Sequence, residues 1–188
     1  MLVLGATMSV TSLIVALSGF LVQIYIRTTD GLEAVGFYSA GFLIVNAYVG
    51  MVFTAMSTDY FPRLAAINTD NKQMNVAVNQ QADVAVLLIT PIIVLFLTFS
   101  PVIVALLYSS EFNVILGFVT FGVLGTLFKA VSFSMGYVII AKGHSKVFIT
   151  LSILFNSIFL VISILSYTSG GLTGLGIGFL IYYVIHLV

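Results

Sequence analysis

Few residues in this chain can do chemistry, and Lys129 stands out among them. It is the only charge within the apolar run Asn113–Ala141. Two layouts are open. Phe112–Phe128 could cross alone near the lower length limit, leaving Lys129 at an interface and Ala130–Ala141 too short to span. One long tilted or broken helix accommodates both pieces and is the expected layout. It puts the ammonium near mid-membrane, where insertion costs about 2.5–3.5 kcal/mol. At helical spacing Lys129 shares a face with Gly122, Gly125, Thr126, Ser132 and Gly136, a set that suits a cavity or a close helix contact. A cation placed there can attract an anionic group, or it can be held by carbonyls and hydroxyls of a neighbouring helix.

Three further side chains are candidates for binding. Gln23 and Arg27 end a seam of small and polar residues in the first apolar run: Gly5, Ser9, Ser12, Ala16 and Gly19. A seam of this kind is expected to face protein or a water-filled cavity. Asn46 sits near the middle of the second run, in a stripe with Ser39, Gly50, Thr54 and Ser57, and suits an interhelical hydrogen bond as well as a ligand contact. The carboxylates Asp30, Glu33, Asp59, Asp70, Asp83 and Glu111 all fall in loops or at span ends. His144 lies in a basic loop and His186 in distant apolar sequence, so no metal site is expected, and no cofactor. Neither paired carboxylates nor a Ser/His/Asp grouping appears at an aqueous boundary, which argues against an enzyme.

The elements that must position these residues follow from composition. Hydrophobic residues make up 61% and charged residues 6%, against about a quarter charged in a globular domain. Mean hydropathy is +1.23. The expected fold is all-α: a polytopic transmembrane helix bundle of about six spans. Formal charge is zero, so nothing points to nucleic acid. The absence of cysteine removes disulfide and thiolate chemistry.

Apolar runs place the spans at about 2–26, 34–58, 84–108, 113–141, 147–167 and 171–188. Between the second and third lies a polar linker, 59–83, rich in amides. Pro62 is expected to end the second span near Tyr60. Asp70 with Gln73 resembles a cap that starts an amphipathic helix at the interface, with Met74, Ala77 and Val78 on its apolar face. Pro91 and Pro101 predict a kinked third span. Serines and Asn156 stripe the fifth span, and Gly170, Gly174 and Gly178 give the sixth a small-xxx-small edge. A cytoplasmic linker puts Arg63, Lys72, Lys142 and Lys146 inside and only Arg27 outside, as the positive-inside rule asks. Both termini are then cytoplasmic, and Tyr25, Tyr60, Tyr108 and Tyr167 fall at span ends.

The phrases GLEAVGFYSAGFLIVNAYVGMVFTAMSTDYFPRLAAI, NQQADVAVLLITPIIV, FSPVIVALLYSSEF and GTLFKAVSFSMGYVIIAKGHSK resemble the polysaccharide-transporter (O-antigen flippase) family of the multidrug/oligosaccharidyl-lipid/polysaccharide exporter superfamily. The resemblance covers about Gly31–Lys146. It implies a bacterial inner-membrane protein that moves lipid-linked oligosaccharide of the polyprenyl pyrophosphate type to the outer leaflet. It also implies two lobes around a central, often cationic, cavity. This chain resembles the second lobe, so its partners would be the lipid-linked substrate, membrane lipid and a missing N-terminal lobe. Ends inside apolar sequence fit a fragment. On this reading Lys129, Arg27, Gln23 and Asn46 are the substrate-binding candidates. The alternatives are a cation-coupled multidrug exporter, which usually needs a membrane-embedded carboxylate, and a subunit that only packs against partners.

Overall fold

Residues 2–187 are described by a computed structural model, in which the side chains of 2–4, 48 and 49 are left out; Val188, expected to close the sixth span, lies outside them. The described chain is all-helical: α1 (Leu2–Ala66), α2 (Asn71–Leu107), a 3-10 turn (Ser110–Ile115), α3 (Leu116–Ala141) and α4 (Ser145–Leu187). All four helices are long and apolar enough to cross a membrane. Leu13, Met51, Leu87 and Leu106 are among many large apolar side chains left exposed, an arrangement that suits lipid rather than water.

Two of these helices are broken by glycine. α1 leaves helical geometry at Gly31, with φ 86° and ψ −172°, which only a residue without Cβ adopts easily. α4 breaks at Gly170 and Gly171, the latter with φ 56°. The second break reverses the chain, because Phe155 then meets His186 and Phe159 meets Phe179, at centroid distances of 4.3 and 5.2 Å. Gly174 and Gly178 make that hairpin possible by lying against Ser166.

The second arm of α1 (32–66) runs parallel to α3. Phe37 meets Phe112 of the 3-10 turn, Phe53 stacks on Phe133 at 4.7 Å, and Tyr60 meets Tyr137, in matching order along α1 and along the turn and α3. The second arm of α4 (172–187) lies along α3 in the same sense, from Thr173 beside Gly117 to the His186 carbonyl beside Ser132. α3 is thus wedged between α1 and α4. Their shared core includes Tyr38, Val45, Phe118, Val119, Leu175 and Phe179.

Two expectations change here. α1 does not stop near Tyr60 but continues through Pro62 to Ala66. Proline removes one hydrogen bond close to the helix end. Packing outweighs that loss, since Tyr60 and Leu64 are buried with Met74, Ala77, Val78 and Ala141. Tyr60 is therefore a core residue rather than an interfacial one, and its hydroxyl donates to the Ser134 carbonyl at 2.8 Å. The polar linker is not a separate surface helix either. After a turn at 67–69, Asp70 caps α2 by accepting from the Lys72 and Gln73 N–H groups at 2.9 and 3.1 Å. α2 then runs unbroken through Pro91 and Pro101. Pro101 cannot donate to the Leu97 carbonyl, and the Ser100 hydroxyl supplies a bond to it at 3.4 Å. With 37 residues at about 1.5 Å each, α2 exceeds a hydrocarbon core of about 30 Å and carries the capped end beyond it. Asn68 and Lys142 tie this end to α3 through the Ala141 carbonyl and the Asn71 side chain.

The seam on α1 does not pack inside this bundle, which leaves it to face a water-filled cavity or protein outside the chain. Gly5, Ser9, Ser12, Ala16, Gln23 and Arg27 are exposed, and the buried stripe is Thr7, Thr11, Ser18, Val22 and Ile26. Thr11 and Ser18 donate to carbonyls of their own helix, so burying their hydroxyls costs little, while Val22 and Ile26 supply apolar contact.

Candidate functional site

Lys129 lies on α3, thirteen residues into a helix of 26, so it sits close to mid-helix. The face it shares is used for close contact. A Cβ on Gly122 would stand 3.0 Å from Val45 of α1, and one on Gly125 would stand 3.3 Å from the Leu180 Cα of α4. These two glycines let both neighbours approach the helix that carries the lysine.

The half-buried ammonium meets three groups. Its Nζ donates to Asn46 Oδ1 at 3.2 Å. It also lies over the rings of Tyr183 and Phe53, at 5.4 and 5.8 Å from their centroids. Asn46 is itself fixed, because its Nδ2 donates to the Phe42 carbonyl at 2.9 Å. Both polar atoms of the amide are therefore engaged. Phe53 is held by Phe133, and Ser132 next to it donates to the His186 carbonyl at 3.0 Å, tying the end of α4 to the site. His186 packs between Phe155 and Tyr182, with centroids at 4.3 and 5.6 Å.

The magnitudes explain how a lysine is tolerated here. A hydrogen bond to a charged group contributes about 1.5–3 kcal/mol, and a cation over a ring about 0.5–2 kcal/mol. Together they match the insertion cost of about 2.5–3.5 kcal/mol without any carboxylate. The charge is held, but it is not cancelled.

Gln23 and Arg27 do not join this cluster. They are exposed on the first arm of α1, near the hinge end. Arg27 also makes no ion pair with Asp30, which accepts from the Tyr167 hydroxyl at 2.5 Å instead. That bond ties the α1 hinge to the α4 hinge, beside an edge contact of Tyr25 with Tyr167 at 6.2 Å. Two recesses of about 330 and 340 Å³ open at this end, and neither includes Lys129.

The residues that were not singled out from the sequence are Phe53 and Tyr183. Phe53 follows Asn46 by seven residues, two helical turns along one face, and that spacing was the available signal. Tyr183 carried none, being one of nine tyrosines and 16 phenylalanines.

A family model described as a polysaccharide biosynthesis protein matches residues 1–117, more than half of the chain. The chain belongs to this family. No curated protein and no solved structure matches it. The family assignment and the apolar helices make this a membrane protein of polysaccharide synthesis or export. The match contains Gln23, Arg27 and Asn46, while Lys129 and Tyr183 lie beyond it. Family membership therefore says nothing directly about the cation, whose case rests on geometry.

Proposed function

We propose that this chain is a flippase lobe that moves lipid-linked oligosaccharide from the cytoplasmic to the outer leaflet of a bacterial inner membrane. The observation that carries the reading is the uncancelled Lys129 charge near mid-helix, met by one neutral oxygen and two rings. In a polysaccharide family, the anionic parts of a polyprenyl-pyrophosphate substrate are its natural counterions. The pyrophosphate or acidic sugars would pair with Lys129, and an N-terminal lobe would complete the cavity. Both termini and the turn between α1 and α2 face the cytoplasm in this arrangement. An enzymatic role and a bound cofactor are not part of it.

A second reading has its own support, because the contacts of Lys129 are sufficient to hold α1, α3 and α4 together as packing alone. In the full-length protein, Lys129→Ala is expected to abolish export while folded protein persists in the membrane. Lys129→Arg is expected to retain part of the export. Normal export by the alanine variant sinks the flippase role of this residue. Loss of folded protein from the membrane favours the packing reading.

A further inference from the structure

Among the described residues, Asn46 is the one side chain that hydrogen-bonds the Lys129 ammonium. Each of its polar atoms already has a protein partner, Nδ2 on the Phe42 carbonyl and Oδ1 on Nζ, so the amide is held in place with one N–H and one lone pair left over. The carbonyl bond also decides which end of the amide points at the lysine. An oxygen is presented, and it carries no formal charge. A carboxylate of the same shape would make an ion pair there and leave little attraction for any other anion.

We propose that Asn46 is a positioning residue for Lys129. It is a neutral acceptor that fixes the ammonium between α1 and α4 and leaves its charge available to a phosphate-type anion. The proposal rests on the reading of Lys129 as the substrate's counterion. It moves Asn46 from a direct substrate contact to a residue that acts through another. The rings of Phe53 and Tyr183 serve the same end, since they attract a cation without neutralising it.

The test uses the full-length protein, with export in cells and thermal stability in detergent read in parallel. Asn46→Asp keeps the size and the acceptor but adds a charge. Its expected result is export lowered by at least about tenfold with stability equal to or above the parent, because the new pair neutralises the lysine. Asn46→Ala loses the acceptor and keeps the lysine charge, so it is expected to raise the substrate level needed for half-maximal export more than it lowers the maximal rate. Its stability loss should shrink in a Lys129→Met background, since the two residues form one contact. Parent-like export by Asn46→Asp in a protein where Lys129→Ala is inactive overturns the positioning role alone. Parent-like export by Lys129→Ala removes the substrate reading beneath it. If the Asn46→Asp protein fails to fold, an equal stability loss for Asn46→Ala with and without Lys129 refutes the contact itself.

Discussion

Gly176 sits where α4 meets the backbone of α3, and adding a single methyl there tests a close helix approach in the bundle's core. A Cβ at this position would lie 2.7 Å from the Phe118 carbonyl oxygen, 2.8 Å from its Cα and 3.1 Å from its carbonyl carbon. Ordinary non-bonded carbon separations are about 3.5–4.0 Å, so the helices must part by about 0.5–1 Å. The obstructing atoms are backbone and cannot rotate aside. Overpacking costs about 1–3 kcal/mol, and alanine regains about 1 kcal/mol of helix propensity over glycine. Gly176→Ala is therefore expected to lose up to about 2 kcal/mol net. For a chain of this size the midpoint should fall by up to about 8 °C, and by more relative to a glycine-to-alanine change in open space. The assay is thermal unfolding of the purified full-length protein in detergent, followed by helical circular dichroism. Gly136→Ala on α3 is the control, because nothing lies within 4 Å of a Cβ there, and its stability should hold or rise. A Gly176→Ala protein that melts no lower than this control refutes the close approach of α3 and α4. Since the same arm of α4 carries Tyr183 and the His186 carbonyl, a real displacement should also weaken export.

Two further outcomes are expected. The backbone N–H of Gln73, then the Gln73 side chain and the Lys72 N–H, hold the Asp70 carboxyl below its ordinary range against some opposing desolvation. A depressed folded value means that its stabilisation is complete at neutral pH and is lost as pH falls through that value. Asp70→Asn, which keeps an acceptor at the cap, should match the parent at neutral pH and lose less stability on acidification; identical acid limbs would contradict the cap. For topology, single cysteines at Gln73 and Ser145 should react with an impermeant thiol reagent only from the cytoplasmic side, and one at Ser110 only from the periplasmic side. Gly31 is a poor probe position because its φ of 86° would strain any cysteine. Periplasmic labelling at Gln73 would invert the orientation.

Much of the architecture was legible because its causes are local. Long apolar runs ask for lipid-crossing helices, and the gaps left between spans at 27–33 and 168–170 are where α1 and α4 break, at Gly31 and at Gly170. Asp70 announced its cap through the amide three residues on, and the bond from Gln73 Nε2 to Asp70 Oδ2 at 2.9 Å completes it. The end of α1 was not legible, because the proline rule weighs one lost hydrogen bond and cannot see the packing beyond it. Tyr60 and Leu64 bury against residues of α2 and α3 that only the fold brings near. The α1 seam shows a related limit, since it turns out of this bundle rather than into it. Small residues permit close contact but gain little from it, so their spacing does not decide which face turns inward.

The site divides along the same line. Lys129 and Asn46 were each visible, since a polar side chain within an apolar run has few uses, but their bond joins positions 83 residues apart. It requires α1 and α3 to lie parallel, in a register set by Val45 against Gly122 and Phe53 against Phe133. No local pattern carries that register. The rings around the ammonium were hidden differently: aromatic residues make up 13% of the chain, so neither Phe53 nor Tyr183 is distinctive until a charge is seen between them. What the structure adds is the sign of the arrangement. Among the described residues, the three groups that meet the Lys129 ammonium attract a cation, and none of the three carries a negative charge. A bundle built only to bury a lysine would be served as well by a carboxylate, whereas a bundle built to present one requires that the carboxylate be missing. Asn46 is the residue at which those two designs differ by a single atom.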